Sequence, residues 1–72
     1  MALQLELSDA DLLAEVMDAL SRNGCLTDRI APQACRVVYP RAADAREAQL
    51  EIGFFIRAWQ IHHPGVEATL SL

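Results

Sequence analysis

The sequence predicts an α+β fold in which a four-stranded antiparallel sheet is covered on one face by two helices. Two segments, 2–7 and 66–72, alternate strictly between apolar and polar residues, which is typical of strands that bury one face. Two others, 11–22 and 43–62, repeat apolar residues at helical spacing. Since a sheet face and a helix stripe must each be covered, these elements predict two packed layers.

The first strand and helix have clear boundaries. The inward face of the strand is expected to carry Leu3, Leu5 and Leu7. Ser8 is a preferred N-cap residue, and the acids at Asp9 and Asp11 suit the positive end of a helix dipole, so we expect Ser8 to cap the helix. Asn23 and Gly24, which tolerate positive φ, end it.

The segment 25–40 is expected to form a hairpin, because Pro32 and Pro40 oppose a long helix there. A two-residue turn at Pro32 and Gln33 places Arg29 opposite Arg36. The further expected pairs are Ile30 with Cys35 and Leu26 with Tyr39, and the expected inward set is Leu26, Ile30, Cys35, Val37 and Tyr39. Pro-Gln is not a preferred hairpin turn, so a longer loop with a shifted register stays open.

Arg29 and Arg36 then become like-charge neighbours on the open face of the sheet. Such a pair destabilises a sheet unless another group compensates the charge. Glu6 and Glu67 on the same face are one source of compensation. The alternative is an external anion or acidic peptide, and Arg29 and Arg36 are therefore the candidate contacts for one.

The helix expected from Ala43 to His62 is apolar on two opposite sides. At ~100° per residue, one side carries Ala45, Ala48, Ile52, Phe55, Ile56 and Trp59, and the other carries Leu50, Phe54, Ala58 and Ile61. One side covers the core, so the second either tucks against a neighbouring element or meets a partner. The candidate partner-binding residues are Leu50, Phe54, Arg57, Ala58 and Ile61, with Phe54 as anchor.

The last strand is expected to turn Val66, Ala68, Leu70 and Leu72 inward. The order strand, helix, strand, strand, helix, strand is that of a ferredoxin-like βαββαβ sandwich, formed by one domain over residues 1–72. Two other folds stay open: a winged helix, if a second helix is capped by Thr27, and an all-parallel βαβαβ arrangement, if only 36–39 is a strand.

Composition and charge exclude several function classes. The net charge of −4 argues against nucleic-acid binding, which requires clustered positive charge. The longest uncharged apolar run, 52–56, is far too short to span a bilayer, and the N-terminus lacks the basic region of a signal peptide. We therefore expect a cytoplasmic protein. Abundant Ala beside Arg, with no Lys, is typical of GC-rich bacterial genomes.

The sequence indicates no catalytic, cofactor or metal site. His62 and His63 are adjacent, point in different directions and lack a third ligand nearby, whereas a metal site needs three or four convergent ligands. Cys25 and Cys35 are expected to be reduced thiols, one buried and one partly exposed. We therefore expect no enzymatic activity.

Residues 8–17, Ser-Asp-Ala-Asp-Leu-Leu-Ala-Glu-Val-Met, resemble the first strand–helix turn of ACT domains. That resemblance implies a dimeric regulatory domain that senses a small metabolite such as an amino acid. The glycine usual in these turns is absent, and Asp11 stands near its place, so no binding residue is carried over.

The function expected first is a small non-catalytic interaction or adaptor module that self-associates or docks a protein partner through the second apolar stripe. The chain suits either a complete small protein or the N-terminal domain of a longer effector or signalling protein. The alternative function is the ACT-like sensor. A winged-helix DNA binder is a third function, and the acidic charge disfavours it.

Overall fold

The computed structural model describes residues 2–72, so Met1, the first residue of the expected domain, lies outside it. The strands are β1 (Leu3–Leu7), β2 (Leu26–Ala31), β3 (Ala34–Val38) and β4 (Ala68–Ser71), and the helices are α1 (Leu13–Arg22) and α2 (Ala45–Ile61). A short 3₁₀ turn, Ala10–Leu12, precedes α1. The predicted α+β fold, with a four-stranded antiparallel sheet and two helices, is confirmed.

The strands form one sheet in the order β2-β3-β1-β4, and every neighbouring pair is antiparallel. Central β1 pairs on both sides, with Leu5 opposite Cys35 on β3 and Leu70 on β4. Its leucines are buried while Gln4 and Glu6 are exposed, as the alternation predicts. Both helices therefore cover the leucine face of the sheet, and the other face stays open.

The core lies between that sheet face and the two helices. Its buried members are Leu3, Leu5, Leu7, Leu13, Val16, Leu20, Cys25, Cys35, Val37, Ala48, Ile52, Ile56 and Trp59. Val66, Ala68 and Leu70 pack against this cluster from the last strand and the loop before it. Leu72 was expected to point inward, but it follows the end of β4 and is exposed.

The hairpin between β2 and β3 corrects the predicted register. The tight turn forms, with Ala31 opposite Ala34, but Ile30 is bulged out of the ladder. A bulge inserts one unpaired residue and shifts every pair beyond it. Arg29 therefore lies opposite Cys35, and Asp28, not Arg29, lies opposite Arg36.

The same bulge exchanges the two faces of β2. Directly opposed residues share a sheet face, so Leu26 lies beside Val38 on the open face. The prediction that Leu26 and Ile30 belong to the core is wrong, since they are 63% and 40% exposed. Tyr39 is partly buried against the core, as expected.

The start of α1 also differs from the expectation. Asp9, not Ser8, is the N-cap residue of the 3₁₀ turn, and its Oδ1 accepts a hydrogen bond from the backbone N–H of Asp11. The Ser8 hydroxyl instead accepts from the N–H of Glu67, which ties the β1–α1 turn to the segment before β4. At the other end, Gly24 has φ of +88° and ends the helix as predicted.

Candidate functional site

The outer stripe of α2, defined as Leu50, Phe54, Ala58 and Ile61, is the candidate site. The helix is slightly shorter than predicted because Asp44 caps it, accepting from the N–H of Glu47 at 2.8 Å. The opposite, inner stripe is buried, with Ile52 at 2% and Ile56 at 4% exposure. The outer stripe is exposed, with Leu50 at 57%, Phe54 at 66% and Ile61 at 77%, and Ala58 is exposed as well.

Just after the C-terminal end of α2, His63 connects this helix to α1. The His63 ring stacks on Trp59 with centroids 4.0 Å apart. Its Nδ1 lies 2.9 Å from the Trp59 carbonyl oxygen, and its Nε2 lies 3.1 Å from Oε2 of Glu15 on α1. His63 is therefore a structural clamp, while His62 is exposed.

Charged side chains lie along the outer stripe and beside it. Arg46, Glu47, Glu51 and Arg57 are all exposed. Among residues 2–72, the arginine–carboxylate ion pairs are Arg22 with Asp18 and Arg36 with Asp28, and His63 contacts Glu15. None of these contacts involves Arg46, Glu47, Glu51 or Arg57, so these four side chains are available to a partner.

A cleft of about 300 Å³ opens beside Phe54. It is lined by Leu20, Asn23, Cys25, Tyr39, Glu51, Ile52, Phe54 and Phe55. Sequence reasoning missed this cleft because its walls come from three segments that are distant in sequence, and no local pattern reveals their mutual placement. Since Phe54 and Glu51 belong both to the cleft and to the outer face of α2, the cleft extends the candidate surface toward the sheet.

The surroundings of Cys25 and Cys35 disfavour reactivity of their thiols. Both cysteines are free and buried, which corrects the expectation that one would be partly exposed. Burial raises the pKa of the Cys25 thiol above its ordinary value. It raises the pKa of Cys35 to about 11, although the nearby Arg29 charge acts in the opposite direction. Because the thiolate is the reactive form, both groups are suppressed as nucleophiles.

Arg29 and Arg36 are not brought together. The shifted register places them on opposite faces of the sheet, Arg29 opposite Cys35 and Arg36 opposite Asp28. Arg29 donates a hydrogen bond to the Pro32 carbonyl oxygen at 3.0 Å, and the Arg36 guanidinium lies 4.0 Å from the Asp28 carboxylate. The predicted like-charge pair is wrong because the bulge at Ile30 substitutes an acid for one arginine.

The turn that resembles ACT domains is tied to the rest of the chain. The Ser8 hydroxyl accepts from Glu67, and the Ser8 carbonyl accepts from the side-chain amide of Gln33 at 3.0 Å. The carboxylate of Asp9 is used by the cap of the 3₁₀ turn. Several polar groups of this turn are therefore engaged in bonds within the chain.

Within residues 2–72, no group of three or more His, Cys, Asp or Glu side chains is arranged to hold a metal ion. In the same part of the chain, no helix has the length and apolar character needed to cross a membrane. A scan against protein-family models and searches of the curated proteins and the solved structures found no match for this chain.

Proposed function

We propose that this chain is a small non-catalytic protein–protein interaction module that self-associates through the outer stripe of α2. One observation carries the proposal: Leu50, Phe54 and Ile61 stay 57–77% exposed on a helix whose opposite face already covers the core. Large apolar side chains grouped on one exposed face mark interaction sites in soluble proteins. Exposed charges beside such a face, here Arg46 and Glu51, are typical of an interface rim.

The same proposal assigns the fold to the ferredoxin-like class. Each of α1 and α2 connects two strands that are separated by a third strand in the order β2-β3-β1-β4, and this arrangement supports that class. It also places the module in a reducing compartment such as the cytoplasm, an assignment supported by two free thiols.

Phe54→Glu tests the binding surface. We expect the wild-type chain to have the mass of a dimer in light scattering after size exclusion, and the variant that of a monomer. An anchor residue contributes at least ~2 kcal/mol, so the dissociation constant should rise about thirtyfold or more. Circular dichroism should stay unchanged, because Phe54 is 66% exposed.

Leu26→Glu is the matched control. Leu26 is 63% exposed, so the variant introduces the same charge at a similar exposure, but on the open sheet face. It should leave the dimer intact. A monomeric wild-type chain, or equal loss of association in both variants, would contradict the proposal.

The ACT-like sensor stays the second proposal, with less support. The hydroxyl and the carbonyl of Ser8 at its turn are already bonded to Glu67 and Gln33. A panel of amino acids in a thermal-shift assay tests it, since a ligand that binds the native state raises Tm by mass action.

A further inference from the structure

Resting on the proposed function, we infer that α2 pairs with α2 of a second copy in antiparallel orientation. In this pairing Leu50 lies against Phe54 of the second copy, and Glu47 lies against Arg57 of the second copy. Two-fold symmetry makes each contact twice.

The spacing of the exposed residues supports a helix–helix seam. Glu47, Leu50, Phe54, Arg57 and Ile61 follow one another at intervals of three, four, three and four residues. This is the spacing of the a and d positions that form the contact line between two paired helices. All five side chains are exposed, so the complete line is open to a second helix.

The charges on this line decide the orientation. In a parallel pair each residue faces its own copy, so Glu47 would face Glu47 and Arg57 would face Arg57. In an antiparallel pair that places position 50 opposite position 54, position 47 also lies opposite position 57. Glu47 of one copy then faces Arg57 of the other, so opposite charges meet. The helix dipoles favour the same orientation, because each helix end then lies near the opposite end of its neighbour.

Gly53 is independent support for a closely approaching neighbour. Glycine inside a helix is destabilising relative to alanine, and a Cβ at position 53 would have open space around it within the described chain. Folding of one copy therefore gives no steric reason for glycine there. The midpoint of the antiparallel register lies between positions 50 and 54, so Gly53 sits beside the two-fold axis, where a missing side chain lets the helices approach.

The same register makes one unfavourable contact, which is useful as a test. Glu51 lies on the rim beside the axis, so the two copies of Glu51 approach each other in the antiparallel pair. In a parallel pair Glu51 would instead lie five positions from Arg46 of the second copy, the spacing of the inter-helix ion pairs that border such seams. The two orientations therefore predict opposite effects of neutralising Glu51.

Cysteine cross-linking tests the orientation directly. Glu47→Cys and Arg57→Cys are made separately, one of them isotope-labelled, then mixed and oxidised gently, and the linked species are identified by mass. The antiparallel pair places positions 47 and 57 together, so the mixed disulfide should dominate. Self-links should be rare, because the two copies of position 47 are ~15 Å apart along the seam.

Wild-type protein controls for the native thiols, which are buried. A mixture of Asp18→Cys, exposed on α1, with Glu47→Cys reports random collision. Self-links at both 47 and 57 would overturn the antiparallel inference and leave the proposed function standing. Mixed links no more frequent than in the Asp18 mixture overturn the inference as well, and a monomeric wild-type chain overturns both proposals.

Glu51→Gln provides a second measurement without new thiols. It should tighten self-association about twofold, as expected for removal of one exposed like-charge contact of ~0.5 kcal/mol. Weaker association of this variant would indicate a lost Arg46–Glu51 contact and would overturn the antiparallel orientation.

Discussion

The two apolar stripes of α2 differ in what covers them, not in how apolar they are. The inner stripe packs Ile52, Ile56 and Trp59 into the core at 2–8% exposure, while the outer stripe leaves Phe54 and Ile61 at 66% and 77%. The sheet meets the inner stripe with an apolar face, and no described element lies over the outer one. One helix therefore carries two apolar faces, and the fold of a single copy buries only one of them.

The largest expected effect is a difference in the free energy of unfolding between substitutions in the two stripes. Ile52→Ala should lower the free energy of unfolding by about 2–5 kcal/mol, because it leaves a cavity in the core. Leu50→Ala, at 57% exposure, should change it by less than about 0.5 kcal/mol in the monomer. Urea denaturation of dilute protein, below the concentration of self-association, measures both. Similar losses in the two variants would mean that Leu50 is part of the core.

The next largest effect is expected in the dissociation constant of the dimer when the charge of Arg57 is reversed. Arg57→Glu should weaken the dimer about tenfold, because two exposed charge pairs of ~0.5–1 kcal/mol each become repulsive contacts. Mixing the Arg57→Glu variant with the Glu47→Arg variant should restore association as a heterodimer, because positions 47 and 57 then again carry opposite charges across the pair. Sedimentation equilibrium of the separate and mixed variants measures the change.

Arg41→Glu is the control for that charge reversal, since Arg41 is exposed and precedes α2. It should leave the dissociation constant unchanged. If Arg57→Glu also leaves it unchanged, Arg57 does not face an opposite charge, and the outer stripe is paired in some other way.

Gly53→Ala should act on folding and association in opposite directions. The alanine stabilises the helix of the monomer by about 1 kcal/mol, and its methyl group meets open space within one copy. The same methyl group should weaken the dimer, because it enters the space beside the two-fold axis. Thermal unfolding and sedimentation of one preparation measure both quantities. Tighter association of the alanine variant would argue against close approach at Gly53.

Sequence patterns suffice to predict the buried face of β1 but not that of β2. In β1 the alternation of leucines with Gln4 and Glu6 predicts the buried face correctly, because a central strand has neighbours on both sides that fix its register. In β2, at the sheet edge, the same reasoning assigns Leu26 to the wrong face. The bulge at Ile30 shifts the ladder by one residue, and the pattern of apolar residues does not predict it.

The candidate site was predictable in part for a similar reason. Helical spacing alone places Leu50, Phe54 and Ile61 away from the core, and the structure shows them exposed. The cleft beside Phe54 was not predictable, since it depends on how Cys25 and Tyr39 approach α2. Local periodicity reports which side of an element is apolar, whereas tertiary packing decides which segments meet.

The last expected effect, a pH dependence of stability, tests whether solvent reaches Cys35 in the core. Burial raises the pKa of Cys35 from 9.0 to about 11, so at pH 10 the unfolded chain loses a proton that the folded chain keeps. The contribution of this thiol to stability is therefore complete below pH 9 and is lost as pH rises toward 11. Urea unfolding at several pH values, compared with Cys35→Ala, isolates this contribution. The difference between the two curves should narrow over that interval, and a constant difference would mean that solvent reaches Cys35.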